Sequence, residues 1–480
     1  MSALSNFVLE LKLDTEQYQE DILDKRLGIG RQMYNACLNE LYKRYRLMTE
    51  SKKYRQVMKL PKTDKTKNKL LSVINVEYGL TEYSLHDFIK PIQHHFKLNI
   101  DSFTAQKIAT CCFDAFKGVI YHTAKKAHFK KHGELNSLEG KSNGTGIRFV
   151  NNSLSWNKIT IPVIIRKNDT YAQMALENPV KYCRVIRKGE KYYLQLIFKG
   201  IPPQKLDKDG SLRHKVGDGS VGIDIGTQTI AICSDKEVKL LELAPEINKT
   251  NDNIRLLQRK MDRSRRTTNP DKYNPNGTIN RSNQEKWFKS KHYQGIQKKL
   301  CGLQNKYQAI RKQSHNILAN TIISLGTAVY VEEMSFKGLQ RRAKKTTKNV
   351  NGKFNKKKRF GKSLAKKAPA LFLTLLGNKL EQLGSKLCKI DTAKVKASQY
   401  NHVNDSFSKK ELGERWNVID GMKIQRDLYS SFLIMNVNEN LTSVNLEKCA
   451  ETYPNFVRLH DIEIERIRSL ANKKIASMGI

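Results

Sequence analysis

Between residues 221 and 232 the chain reads Val-Gly-Ile-Asp-Ile-Gly-Thr-Gln-Thr-Ile-Ala-Ile, an apolar run interrupted by one acid and one tight glycine step. Such a pattern predicts a buried β-strand, a turn, and a second strand that begins at once. The constraint lies in the acid. Asp224 falls inside the first apolar run, and an unpaired charge is costly to take out of water. Its usual partners are a basic side chain or a metal ion, and the rest of the chain has to decide between them.

Upstream, residues 6–13 alternate like a strand, and 17–47 carry Ile22, Leu23, Leu27, Met33, Tyr34, Leu38, Leu41 and Tyr42 at helical spacing. Asp14 or Thr15 is the expected N-cap of that helix, and Gly28-Ile29-Gly30 its expected kink. Residues 51–130 read as largely helical, with breaks near Pro61 and Pro91. His94 and His95 are adjacent there; neighbours on a helix point apart, so they do not share one metal. A Gly/Ser/Asn-rich loop at 132–146 is followed by strands at 147–150, 153–156, 158–165, 180–188 and 191–198, the last two joined by a hairpin turn at Gly189-Glu190. A helical block is thus inserted between a first strand and a later set, which predicts a small β-barrel (1–15 with 145–205) carrying a helical lobe (16–144). A linker at 206–220 leads into the second part. There the expected elements are strands at 221–225, 229–234 and 238–243, a basic helix at 251–266, an irregular loop at 267–284 and a long helix at 285–326. A strand at 328–331, a helix at 368–384, a strand at 386–391, an odd polar segment at 397–422, a helix at 423–437 and a helical tail over 439–480 follow. The fold class is mixed α/β and α+β, in several domains.

Composition narrows the partner. Lys plus Arg is 87 against 46 Asp plus Glu, a net charge of +41 in 480 residues. That excess destabilises a compact chain by self-repulsion unless something neutralises it, and nucleic acid is the commonest neutraliser. Residues 341–367 hold thirteen basic side chains and no acid, a composition expected to stay mobile without a polyanion. Within 337–367, Lys337, Arg341, Arg342, Lys344, Lys345, Arg359 and Lys362 are the candidate nucleic-acid contacts of a lid. No basic amphipathic helix with bulky apolar anchors stands out for a membrane surface, and the longest apolar run, 370–376, is far short of the ~20 residues that span a bilayer. The eight cysteines are scattered, with no C-x-x-C; this argues against a disulfide framework or a zinc ribbon and for a reducing, cytoplasmic setting.

Three acids stand at matching junctions. Asp224 is in the first strand of the second part, Glu332 ends a later apolar strand beside a competing Glu333, and Asp427 opens a helix in Gln425-Arg-Asp-Leu-Tyr-Ser-Ser. Strand, hairpin, strand, then helix, strand and helix is the order of an RNase H-like domain, in which the first and fourth strands are neighbours and the final helix brings its acid over them. Each acid also has a structural reading alone: a salt-bridged core acid, a strand-end acid, a helix N-terminal acid favoured by the dipole. Together they would repel one another, and divalent cations would relieve that. Two such ions, Mg²⁺ or Mn²⁺, activate a water and stabilise the leaving oxygen of a phosphodiester. Gly226, which lacks a Cβ, would let a phosphate backbone pass the strand end, or is a plain hairpin glycine. Arg426 is a candidate contact to the scissile phosphate.

Val221-Gly-Ile-Asp-Ile-Gly, Val329-Tyr-Val-Glu-Glu-Met-Ser-Phe-Lys-Gly-Leu and Gln425-Arg-Asp-Leu-Tyr-Ser-Ser resemble the three RuvC motifs of TnpB, the transposon-encoded RNA-guided nuclease, which the compact type V CRISPR effectors share. Residues 11–46, with Gly28-Ile-Gly-Arg-Gln-Met-Tyr-Asn-Ala, are similar to that family's opening strand and first recognition helix. The resemblance covers residues 1 to about 438 and implies a wedge β-barrel, an inserted recognition lobe and a RuvC nuclease (221–396 with 423–438). It also implies Asp224, Glu332 and Asp427 as metal ligands, with a guide RNA (transposon-derived or CRISPR RNA) and target double-stranded DNA as partners, in the cytoplasm and on the nucleoid. The family usually carries a four-Cys zinc ribbon before the third motif. Here Ala397-Ser-Gln-Tyr-Asn-His-Val-Asn and Trp416-Asn-Val-Ile-Asp-Gly-Met stand where the Cys pairs would be, so no zinc is expected, His402 notwithstanding. RNA-guided binding without cleavage, as a repressor, and a guide-independent RuvC-like resolvase or transposase are the alternatives; the three intact acids speak against the first and the large helical lobe against the second.

Overall fold

A computed structural model describes residues 6–61, 63–342, 345–355, 360–409, 411, 413–470 and 478–480. The chain is a mixed α/β, multidomain protein of two compact units, which divide between Leu212 and Arg213.

In the first unit, strand β1 (Asn6–Leu13) is followed by helices α1 (Gln17–Glu50), α2 (Lys52–Lys59), α3 (Lys65–Glu77), α4 (Glu82–His95) and α5 (Ser102–Ile120). Then come β2 (Ser137–Glu139), β3 (Arg148–Val150), β4 (Ser153–Trp156), β5 (Ile159–Ile164), α6 (Thr170–Leu176), β6 (Val180–Lys188) and β7 (Lys191–Lys199). The strands form one antiparallel sheet in the order β2-β6-β7-β1-β5-β4-β3. It curls into a half-barrel, and its edge strands β2 and β3 do not pair, so the barrel expected from the sequence is not closed. Alternation in β1 sends Phe7, Leu9, Leu11 and Leu13 to one face, where they join Leu23, Leu27, Met33 and Leu38 of α1 in a single core. Sheet and helices therefore share one hydrophobic interior. Arg26 of α1 ties the two together: its guanidinium lies 4.4 Å over the Trp156 ring and donates to the carbonyls of Trp156 and Asn157.

Helix α1 starts one residue later than expected. Glu16 is the N-cap, in a reciprocal capping box with Gln19, while the Thr15 hydroxyl donates to Glu20. The helix runs through Gly28 and Gly30 without interruption. Gly30 serves a close approach instead, since a Cβ there would fall 2.8 Å from Leu138 of β2. Strand β2 itself lies within the stretch expected to be helical lobe and loop.

The second unit opens with β8 (Ser220–Ile225), β9 (Thr229–Ser234), β10 (Val238–Glu242), α7 (Ile247–Thr268), α8 (Lys291–Leu325) and β11 (Ala328–Glu332). Next are α9 (Phe336–Leu339), α10 (Gly361–Lys367), α11 (Pro369–Gln382), β12 (Leu387–Ile390), α12 (Thr392–Val395), β13 (Tyr400–Asn401) and β14 (Ser406–Phe407). Strands β15 (Trp416–Ile419) and β16 (Met422–Gln425) precede α13 (Arg426–Met435) and α14 (Leu446–Ser469). Residues 423–425, expected to begin a helix, belong instead to strand β16, which pairs antiparallel with β15. Five strands make the main sheet, in the order β10-β9-β8-β11-β12; β8 and β9 are antiparallel, β8 and β11 parallel. One face packs on α8 and α11 through Ile223, Ile232, Val331, Ile322 and Phe372; the other packs on α13 and α14 through Ala231, Leu240, Phe432 and Phe456.

Candidate active site

The period of a strand assigns the first two acids. In β8, Val221, Ile223 and Ile225 face the α8/α11 core, as do Val329 and Val331 of β11, which leaves Gly222, Asp224, Tyr330 and Glu332 for the opposite face. Parallel register sets Gly222 beside Tyr330 and Ile223 beside Val331, so Asp224 and Glu332 are the next neighbours on the face that α13 covers. Glu332 is half-buried, whereas Glu333 is exposed beyond the strand, its N–H bonded to Thr392. Position in the strand thus separates two acids that sequence alone left in competition.

The third acid arrives with α13. Gln425 caps this helix, its side chain accepting from the Leu428 N–H at 2.8 Å, and Asp427 lies in the first turn, where the helix dipole favours a carboxylate. All eight residues from 428 to 435 are buried. The seating of the helix depends on Gly222: a Cβ there would stand 2.0 Å from the Ser431 carbonyl oxygen and 2.4 Å from the Met435 nitrogen. Backbone therefore rests on backbone, and this close approach carries Asp427 over the two strand acids.

Electrostatics follow from that convergence. The Asp224 carboxyl is pushed well above the usual carboxylate range, first by burial and then by the negative charges of Glu332 and Asp427, with Arg426 and Arg415 acting the other way. Burial also raises Glu332. Asp427 faces cations: Arg415 Nη1 is 3.5 Å from its carboxylate and Arg426 Nε 3.6 Å, with Gln425 Nε2 at 3.5 Å. Among the described residues no three His, Cys, Asp or Glu side chains are already grouped as a metal-ligand set; Asp427 is turned to its two guanidinium partners. As donors, three carboxylates are hard oxygen ligands of the kind Mg²⁺ and Mn²⁺ take.

The other sequence candidates separate into two groups. Lys337, Arg341, Arg342, Lys345 and Lys362 are exposed cations; Lys344 and Arg359 lie outside the described residues. Gly226 is a hairpin residue whose N–H bonds the Thr229 carbonyl at 2.9 Å. Arg426 is largely buried, 11% exposed, and donates to the Glu411 carbonyl as well as facing Asp427. The basic run at 341–367, expected to stay uncollapsed, is folded where it is described: residues 347–355 close a small hairpin, and α10 docks its C-terminal carbonyls onto α8. Arg311, Tyr307 and His315 bond the carbonyls of residues 365–367, while buried Lys367 pairs with Glu242 at 2.6 Å. These contacts anchor the C-terminal end of the run on α8 and β10.

Sequence reasoning missed Arg415, Gln425 and Gly222 as parts of the site. Gly222 had a signal, since it precedes Asp224 by two residues and so shares its face; Arg415 and Gln425 had none. It also missed what holds 397–425 in place. His402 and Tyr429 exchange a 2.6 Å hydrogen bond within an aromatic cluster that includes Phe432, Tyr453 and Phe456. Residues 478–480 return to the same place, with Trp416 donating to the Gly479 carbonyl and Gln425 to that of Met478. No known family model matches the chain, and no curated protein does.

Proposed function

We propose that the chain is an RNA-guided DNA endonuclease of the TnpB and compact type V CRISPR kind, and that its second unit is an RNase H-like (RuvC) nuclease domain. The observation that carries this reading is that Asp224 and Glu332, from β8 and β11, are neighbours on the sheet face that α13 covers, and that Asp427, in the first turn of α13, is near enough to raise the Asp224 carboxyl. Their mutual repulsion and the hard donor set fit a divalent cation, and these three carboxylates would hold it. Bound there, a pair of Mg²⁺ or Mn²⁺ ions supplies water activation and stabilisation of the leaving oxygen of a phosphodiester. The protein's own groups do the rest. Strands β8 and β11 fix two carboxylates side by side, Gly222 seats the helix that delivers the third, and Arg415 and Arg426 neutralise Asp427. The charge of +41 supplies the field that holds a guide RNA and its DNA target, with sequence read by base pairing next to a short duplex motif.

The test is to purify the chain with its co-purifying RNA, sequence that RNA, and offer DNA matching it. Mg²⁺-dependent cleavage is expected, and Asp224→Ala is expected to abolish cutting while guide and target binding persist; unchanged cutting by Asp224→Ala refutes the assignment of the site. One observation favours a second reading, RNA-guided binding without cleavage: Asp427 faces two arginines. Target binding with no cleavage in Mg²⁺ or Mn²⁺, by a chain that binds neither ion, is the result that reading requires.

A further inference from the structure

The stretch between α7 and α8, residues 269–290, plays no part in the site described above. It holds only a 3₁₀ turn (Pro270–Lys272) and a single bridge between Tyr273 and Ile279, and connections of more than ~12–15 residues with so little secondary structure are uncommon in compact proteins and are usually functional or disordered. This one is tightly built. The Asn269 side chain donates to the Arg265 and Phe288 carbonyls and accepts from the Phe288 N–H at 2.8 Å. Lys272 is buried, its ammonium donating to the side chain and carbonyl of Asn283 and to the Glu285 carbonyl. Tyr273 meets Trp287 edge to face at 5.8 Å, and the Arg265 and Arg266 guanidinium groups lie over Trp287 and Tyr273 at 5.3 and 4.6 Å.

All this order presents aromatic surface to water. Phe288, clamped through its backbone by Asn269, is 67% exposed, and Trp287 beside it is 40% exposed. Exposed Arg281, Lys286, Lys289 and Lys291 flank them. From 255 to 291 the sequence holds eleven Lys and Arg against three acids. A rigid aromatic step ringed by cations matches the two chemistries of an unpaired nucleotide, a flat apolar base and an anionic phosphate.

We propose that residues 269–290 form a stacking platform for unpaired nucleotides, with a base on Phe288 and Trp287 and the neighbouring phosphates on Lys286 and Lys289. The platform deepens the nucleic-acid reading above but does not depend on the three carboxylates, because its readout is binding alone.

The test uses the full chain freed of nucleic acid, in a Trp416→Phe background. Of the chain's three tryptophans, Trp287 is then the exposed one, since Trp156 is buried. Short oligo-dT, oligo-rU, a blunt duplex of equal length and anionic phospholipid vesicles are titrated while Trp287 fluorescence is followed. Single strands are expected to quench it, and Phe288→Ala to weaken that binding about 5- to 150-fold, the loss of one base–aromatic stack. Phe288→Tyr is expected to restore it, with melting temperature unchanged in both variants. Tighter binding of rU assigns the platform to RNA, tighter binding of dT to an unwound DNA strand. Phe288→Ala binding as tightly as its parent, equal quenching by the duplex, or quenching by vesicles and not by oligonucleotides overturns the proposal. A chain that never cuts DNA leaves the outcome of this titration unaffected, so the two readings fail separately.

Discussion

Replacing Gly222 by alanine tests the seating of α13 most directly. The added Cβ would lie 2.0 Å from the Ser431 carbonyl oxygen and 2.4 Å from the Met435 nitrogen, where real Cβ atoms essentially never come within 3.0 Å. Both obstacles are backbone, so no side chain can swing aside. In a close-packed interior the helix has to withdraw by about 1 Å. Forced overpacking costs typically about 1–3 kcal/mol, and the upper part of that range applies because α13 is buried along 428–435 and its contacts loosen together. For a domain of this size each kcal/mol lowers the melting temperature by about 2–4 °C, so a drop of roughly 5–10 °C is expected. Asp427 moves with the first turn, and a displacement of ~1 Å at a reacting centre can cost ~100-fold in rate. Calorimetry of the full chain reads the first effect; DNA cleavage well below the melting transition reads the second. Gly28→Ala is the control, since a Cβ there meets nothing within 4 Å; it is expected to leave both readings intact or to stabilise α1 slightly. If Gly222→Ala melts with the wild type and keeps its cleavage rate, α13 does not lie on β8 as described.

Mg²⁺ is expected to raise the melting temperature of the wild type, by about 2.7 kcal/mol of stabilisation at a hundredfold excess over its dissociation constant, and to leave Asp224→Ala unmoved; equal shifts would place the ion elsewhere. His460 Nε2 accepts the Gln425 N–H at 3.0 Å, and burial holds its pKa below the ordinary value although Asp461 acts against that. The unfolded chain then binds the extra proton, so stability is full above an unfolded pKa of about 6.5 and falls as the pH drops through the folded value. A His460→Gln chain is expected to show a shallower acid-side decline in thermal melts, and an identical slope refutes this role. Lys367→Met removes the cation from Glu242, which is 20% exposed and keeps the Asn248 side chain as a donor, and is expected to cost about 1–3 kcal/mol, read by denaturant titration. Metal analysis of the purified chain is expected to find no stoichiometric zinc; one zinc per chain would show that 397–425 is built differently.

What the sequence could reveal was periodic. Alternation in Val221-Gly-Ile-Asp-Ile and in Ala328-Val-Tyr-Val-Glu places both strand acids, because a strand's two faces follow from parity alone. The run Leu428 to Met435 announces a buried helix in the same way. The contacts that complete the site were not legible, since they join residues distant in the chain through geometry: the Arg415 guanidinium on Asp427, the return of 478–480 to Gln425, the His402–Tyr429 bond. Charge alone did not show how the end of the 341–367 run is anchored. A count of thirteen cations says nothing of the two carbonyls that Arg311 reaches or of the Glu242 that Lys367 finds. Short strands such as β2 and β16 escaped because pairing across the sheet, not local propensity, makes them.

The spacing of the three acids has a consequence for the order of synthesis. Asp224 and Glu332 are about a hundred residues apart and Asp427 is about a hundred further on, and domains generally fold as units from the N-terminus while the chain is being made. The first unit, with its own core, can be complete long before α13 has been translated. Until then the face of β8 and β9 that bears Gly222, Ala231 and Cys233 lies bare, and the third carboxylate does not exist. A polypeptide that terminates between residues 332 and 427 would therefore carry two of the acids without the third, and under the proposed function the helix that closes the sheet is also the one that completes the site.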